Sequence, residues 1–129
     1  MTANEERVVL IVDDDEANRY VTRLMVERGG FQVREAATGR EGLELVEDRP
    51  DLVIVDLHLP DMSGVDLCRQ LKTSTRTSAI PVLQVTALYP GSAERADALA
   101  AGADGYLARP LDGEQLLATI RALLASRAA

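Results

Sequence analysis

The sequence predicts an α/β fold with a parallel sheet covered by helices on both faces, and three observations predict it. Apolar runs of strand length alternate with amphipathic stretches of helix length five times along the 129 residues, the pattern of a parallel sheet buried on both sides. Two of the runs, Val8-Val9-Leu10-Ile11-Val12 and Leu52-Val53-Ile54-Val55, are continuously apolar, as strands covered on both faces are. Both end in acid: Asp13-Asp14-Asp15 follows the first and Asp56 the second. Ligands of such sheets bind in the crevice beyond the carboxyl ends of the strands, so these carboxylates can converge on one cation or phosphoryl group.

The elements follow in order. After the first strand, Val8 to Val12, the residues Ala17, Tyr20, Val21, Leu24 and Met25 recur at i, i+3, i+4, i+7 and i+8 and define one helical face. Asp15 is placed to cap that helix, and Gly29-Gly30 ends it. A second strand, Phe31 to Ala36, leads to Thr38-Gly39-Arg40-Glu41, a capping box in which hydroxyl and carboxylate each satisfy a free backbone N–H. Leu43 and Val46 face the core of the helix that follows, which stops at Pro50. The third strand delivers Asp56, and the loop from Leu57 to Gly64 turns into a helix carrying Leu67, Cys68 and Leu71. The fourth strand, Ile80 to Val85, ends in Thr86, and Pro90-Gly91-Ser92 starts an alanine-rich helix through about Ala101 that has little bulk to bury. A short strand, Tyr106-Leu107-Ala108, ends in Arg109-Pro110, and Asp112 with Gln115 caps a last helix bearing Leu116, Leu117, Ile120, Leu123 and Leu124.

Five βα units with right-handed crossovers give a doubly wound, five-stranded parallel sheet with five helices and the flavodoxin-like strand order 2-1-3-4-5. Its switch point lies between strands one and three, the two that deliver the aspartates.

Bulk composition narrows the function. At 129 residues the chain is expected to form one domain, residues 1–129 with a core from about 7 to 127, able to bury roughly two-thirds of its unfolded surface. With 47% apolar and 27% charged residues it has the makeup of a globular domain and not of a disordered tail. A net charge of -7 argues against direct binding to nucleic acid or anionic lipid, which needs clustered Lys and Arg. No signal peptide or membrane span is legible, so a cytoplasmic protein is expected. The lone Cys68 excludes an internal disulfide and reads as a small apolar residue on a buried helical face.

The acidic site has a chemistry of its own. Two unit charges about 4 Å apart repel by about 4 kcal/mol at an effective dielectric of 20, so clustered carboxylates must take up protons or recruit a cation. An all-oxygen donor set without Cys or His favours Mg²⁺, with Mn²⁺ the substitute of the same ligand preference. Such a metal can keep Asp56 ionised as a nucleophile and shield an arriving phosphoryl group. Thr86 and Arg109, at the ends of the fourth and fifth strands, could hydrogen-bond and pair with phosphoryl oxygens.

The segments LIVDDDEANR, VIVDLHLPDMSG, the pair Thr86-Ala87 and GADGYLARP together resemble the receiver domains of two-component response regulators, over essentially residues 7 to 127. The resemblance implies that Asp56 accepts a phosphoryl group from a histidine kinase or a phosphotransfer protein. It implies Mg²⁺ held by Asp14 and Asp56, by Asp13 through water, and by the backbone carbonyl of His58. Thr86 is then the switch hydroxyl, Ala87 leaves it room, Tyr106 is the aromatic that swings inward, and Pro60 and Gly64 shape the loop. Phosphorylation would alter a surface read by a downstream protein or a fused output domain, although no output domain is legible in this chain.

Two residues depart from the family as a whole, and a third from several of its DNA-binding members. Arg109 stands where a lysine is usual, before a proline whose peptide bond is often cis in the family, and a bulky planar guanidinium is not a conservative replacement for a compact ammonium. It can still pair with phosphate or with Asp56. His58, two positions after the acceptor, could overhang the site and lend it proton-linked behaviour, or contribute only its carbonyl. Gly105 occupies a place where DNA-binding relatives carry a second acid that helps receivers pair.

Three functions remain open. The leading one is a phosphorylation-controlled switch whose only catalysis is self-directed phosphoryl transfer and hydrolysis. A second is a degenerate receiver that acts by docking, with Arg109 permanently in the phosphate position. A third is a small haloacid-dehalogenase-like phosphatase using Asp13-Asp14-Asp15 as its nucleophile motif; it is weakened by Ala17 and by the short chain.

Overall fold

The computed structural model describes residues 6–86 and 92–128. The strands are β1 (Val8–Val12), β2 (Gln32–Ala36), β3 (Leu52–Asp56), β4 (Val82–Thr86) and β5 (Gly105–Ala108). The helices are α1 (Glu16–Arg28), α2 (Gly39–Leu45), α3 (Gly64–Thr73), α4 (Ser92–Ala100) and α5 (Gly113–Ala128), with a 3-10 turn at Val46–Asp48 extending α2. All strands pair parallel in the order β2-β1-β3-β4-β5, which bears out the expected sheet. The role expected for Ala87 and the helix start at Pro90-Gly91 lie outside the described residues.

Alternation along the strands sorts side chains into two cores. Val9, Ile11, Leu52, Ile54, Leu83 and Val85 pack with Val26 of α1 and Leu116, Ile120 and Leu124 of α5. Leu10, Val12, Val53, Val55 and Val82 pack on the other face with Val46 and with Leu67, Cys68 and Leu71 of α3. Burying a Leu, Ile or Val side chain contributes about 1.5–3 kcal/mol, so each core grips the central strands from its own side. The carboxyl edge, where the acids emerge, therefore rests on strands packed from both faces.

The caps read from sequence form. Asp15 accepts from the Asn18 amide at 2.9 Å, Thr38 Oγ1 from the Glu41 amide at 3.0 Å, and Asp112 Oδ1 from Glu114 at 2.9 Å. Gly29 caps α1, and Gly30 follows at φ 90°, a left-handed conformation that favours glycine. Cys68 is buried, its thiol donating to the Ala101 carbonyl at 3.7 Å.

The apolar face assigned to α1 is a partial miss. Tyr20, Val21 and Leu24 are 52%, 48% and 40% exposed, whereas the helix is buried through Thr22 and Val26. The inward line is one position round from the face that apolar spacing marks. Thr22 can be buried because its hydroxyl donates to the Asn18 carbonyl at 2.9 Å, a local satisfaction that a count of apolar residues overlooks. Of the expected face, only Met25 packs against the core.

Candidate functional site

The sheet register assembles the site. Val12 pairs with Val55, so Asp13 and Asp56 leave adjacent strands side by side. Thr86 pairs with Ala108, which sets Arg109 one step beyond, and the Arg109 amide donates to the Thr86 carbonyl at 2.7 Å. Three neighbouring strands plus β5 thus present acid, acid, hydroxyl and cation at one edge.

Asp13 is 1% and Asp56 7% exposed. Each gives one oxygen to a backbone amide two residues on: Asp13 Oδ1 accepts from Asp15 at 2.9 Å, and Asp56 Oδ1 from His58 at 2.8 Å. Their other oxygens face Arg109, whose Nη2 lies 2.6 Å from Asp13 Oδ2 and 3.9 Å from Asp56 Oδ2. The sequence named Asp56 as a possible partner of Arg109; the shorter contact is with Asp13. The Arg109-Pro110 peptide bond is cis.

Burial outweighs these favourable contacts for both acids. It pushes Asp13 up to about 6, against the pull of the Asp15 amide and of Arg109, and the Asp56 and Asp14 charges add to the rise. Asp56 is raised for the same reason, opposed by the His58 amide, Arg109 and the His58 side chain. The site has more carboxylate than Arg109 neutralises. Such an excess is met by a proton or by a further cation.

The remaining predicted residues are placed as follows. Asp14 is exposed at the mouth of the site, its charge felt by both buried acids. Thr86 is fully buried at the end of β4, while Tyr106 is partly buried on the edge strand β5. The His58 side chain is exposed and lines a surface cavity with Leu57, Ser63, Asp66, Arg69 and Asp97. Among the described residues, no group of three or more His, Cys, Asp or Glu side chains forms a ready-made metal cage. Asp13, Asp14 and Asp56, an all-oxygen set whose charges act on one another, nevertheless suit Mg²⁺, which keeps several of its waters and needs few protein ligands.

Supporting residues went unread in the sequence. Gln84, fully buried in β4, donates Nε2–H to the Gly64 carbonyl at 2.8 Å, pinning the loop that leaves Asp56. Gly64 must be glycine there, since a Cβ would stand 2.4 Å from the Asp56 carbonyl oxygen. Asp61 accepts from the amides of Gly39 and Arg40 at 2.8 and 2.9 Å, tying the same loop to the start of α2. Arg19 donates to the Asp13 carbonyl at 2.8 Å and is itself held by Glu35 at 3.0 Å. A glutamine inside an apolar strand was the one available signal, because a buried amide must be hydrogen-bonded.

Residues 9–121 match the response regulator receiver domain family. The chain is 44% identical over 117 residues to response regulator MprA of Mycolicibacterium vanbaalenii, a match covering 90% of the chain and 49% of that protein. It is 40% identical to the DNA-binding dual master transcriptional regulator RpaA of Synechocystis, covering 90% and 48%. The chain thus spans about half the length of these curated relatives. Among solved structures, a CheY-like response regulator receiver domain protein from Methanospirillum hungatei superposes with a TM-score of 0.86 at 33% identity, covering 94% of this chain and 95% of that one. The signal receiver domain of a signal transduction histidine kinase from Syntrophus aciditrophicus gives 0.85 at 30% identity, covering 93% and 91%. Among the described residues, no helix is long and apolar enough to cross a membrane.

Proposed function

The chain belongs to the response regulator receiver domain family, and from that premise we propose that it is a phosphoacceptor switch in which Asp56 takes the phosphoryl group. The observation that carries this reading is the pairing of Asp56 and Asp13 at adjacent strand ends beneath Arg109. An Asp56 oxygen attacks phosphorus, a new O–P bond forms, and the bond to the donor nitrogen of a phosphohistidine breaks, leaving imidazole. Hydrolysis of the acyl phosphate by water returns Asp56 and releases phosphate.

Asp14, Asp56 and the His58 carbonyl would hold Mg²⁺, or Mn²⁺ in its place, with Asp13 acting through the hydration shell. A bound divalent cation supplies the charge neutralisation that two buried acids and an incoming phosphoryl group require. The His58 amide holds one Asp56 oxygen at 2.8 Å and so turns the other toward the donor. Thr86 donates its hydroxyl to a phosphoryl oxygen, and Tyr106 takes up the space that this movement vacates. The energy available is the differential affinity of the phosphoryl group for the two arrangements.

A histidine kinase or phosphotransfer protein is the proposed donor in a cytoplasmic setting. A downstream protein or a fused output domain is the proposed reader of the changed surface. The net charge of -7 keeps direct nucleic-acid contact out of the proposal for this segment.

The competing reading is a docking module that needs no phosphate, and the short Arg109 to Asp13 contact favours it. Acetyl phosphate with Mg²⁺ and intact-mass measurement test the first reading: a phosphoryl adduct is expected on the native chain and none on Asp56→Asn. Beryllofluoride with Mg²⁺ then separates the two, since the switch requires amide shifts at Thr86 and Tyr106. An unchanged spectrum leaves the docking module.

A further inference from the structure

Arg109 is held in the acidic site by more than its place at the end of β5 requires. Its side chain is nine-tenths buried, with Nη2 2.6 Å from Asp13 Oδ2 and 3.9 Å from Asp56 Oδ2. Asp13 Oδ1 is taken by the Asp15 amide and Asp56 Oδ1 by the His58 amide. Each buried acid therefore has one oxygen left, and both of these face the same guanidinium. Both oxygens of Asp13 are engaged.

We propose that Arg109 is the resident cation of the site: it competes with a divalent ion for Asp13, and entry of that ion releases it. The proposal rests on the divalent-cation reading above. A guanidinium and a dication near the same oxygens repel one another, and Nη2 covers Asp13 Oδ2, the oxygen that the Asp15 amide would leave open to a metal-bound water. Lysine in this place would be a slender point charge on a flexible stem, whereas a planar, always-charged fork fills more of the site. Arg109 Nε, buried and without a hydrogen-bond partner, leaves the fork attached mainly through the Nη2 side. That one-sided attachment makes displacement possible.

Mg²⁺ titration of the metal-free chain, without any phosphodonor, tests this by backbone-amide and arginine side-chain ¹⁵N resonances. Arg109→Gln is expected to tighten Mg²⁺ binding roughly tenfold, within the usual range for coupled sites, and Asp14→Asn to abolish binding in both backgrounds. The Arg109 Nη signals of the native chain should shift as Mg²⁺ saturates the site. Equal affinity in the native chain and Arg109→Gln, with those signals unmoved, overturns the competition and leaves the metal reading intact. Absence of binding in every variant overturns both. Should Arg109→Gln unfold, Arg109→Lys decides: tighter binding than native supports the proposal, and equal or weaker binding overturns it.

Discussion

Gln84 Nε2 donates to the Gly64 carbonyl at 2.8 Å inside the protein, joining the centre of β4 to the loop that leaves Asp56. Replacing Gln84 by Leu removes the donor while Gly64 stays buried. Gly64 opens α3, so its carbonyl keeps the helical bond from the Cys68 amide and loses only its second donor, at a cost of about 0.5–1.5 kcal/mol. Urea unfolding of Gln84→Leu should show a lower midpoint with an unchanged slope, and the amide of His58, next to the freed loop, should shift. A midpoint equal to the native one would remove Gln84 from the support of the site.

Metal-free stability should fall as pH rises through the window set by Asp13. Its ordinary value is 3.8 and burial lifts it to about 6, so between these the folded state holds a proton that the unfolded state has lost. The contribution of Asp13 to stability is then fully present below about pH 4 and is lost toward pH 6, by about 3 kcal/mol for such a gap. Asp56, raised for the same reason, adds a decline of the same sign. Unfolding curves in chelator from pH 4 to 7 should therefore be steeper in pH for the native chain than for Asp13→Asn. Parallel profiles for the two would contradict the burial argument.

Asp61 ties the acceptor loop to α2 through the amides of Gly39 and Arg40, and these bonds hold its carboxyl below the usual range. In Asp61→Ala both amides lose their acceptor at the helix start. Hydrogen exchange at Gly39 and Arg40 should accelerate while β1 and β3 stay protected. Unchanged exchange would mean that Thr38 alone secures this helix.

The fourth helix should open most readily. Among its described side chains only Ala98 is buried, and Leu99 is 49% exposed, so little apolar area holds it to the sheet. Amides of α4 are expected to exchange faster than those of β1, whose strand pairs on both sides. Comparable protection in the two would count against a loosely held α4.

The fold was legible because strands buried on both faces cannot disguise their composition, and the sheet order followed from topology. Asp13, Asp56, Thr86 and Arg109 were legible because each ends a strand. What escaped was lateral: which way α1 turns, decided by a threonine that satisfies its own hydroxyl, and which residues support the site. Gln84, Asp61 and Arg19 act across 20, 22 and 6 residues of sequence, and no local pattern encodes such contacts. Arg109 was placed near the acids by motif, but only packing shows that Asp13 is its nearer partner.

The adjacency of Asp13 and Asp56 on hydrogen-bonded strands has a consequence for how such a chain can diverge. Their spacing is set by the interstrand distance of roughly 4.8 Å and not by any loop. The loop after β3 is bound to the chemistry all the same, since its His58 amide holds Asp56 and the Gly64 carbonyl at its end is held by Gln84. A change in that loop has to keep these two bonds, whereas the strand register places the two acids without it.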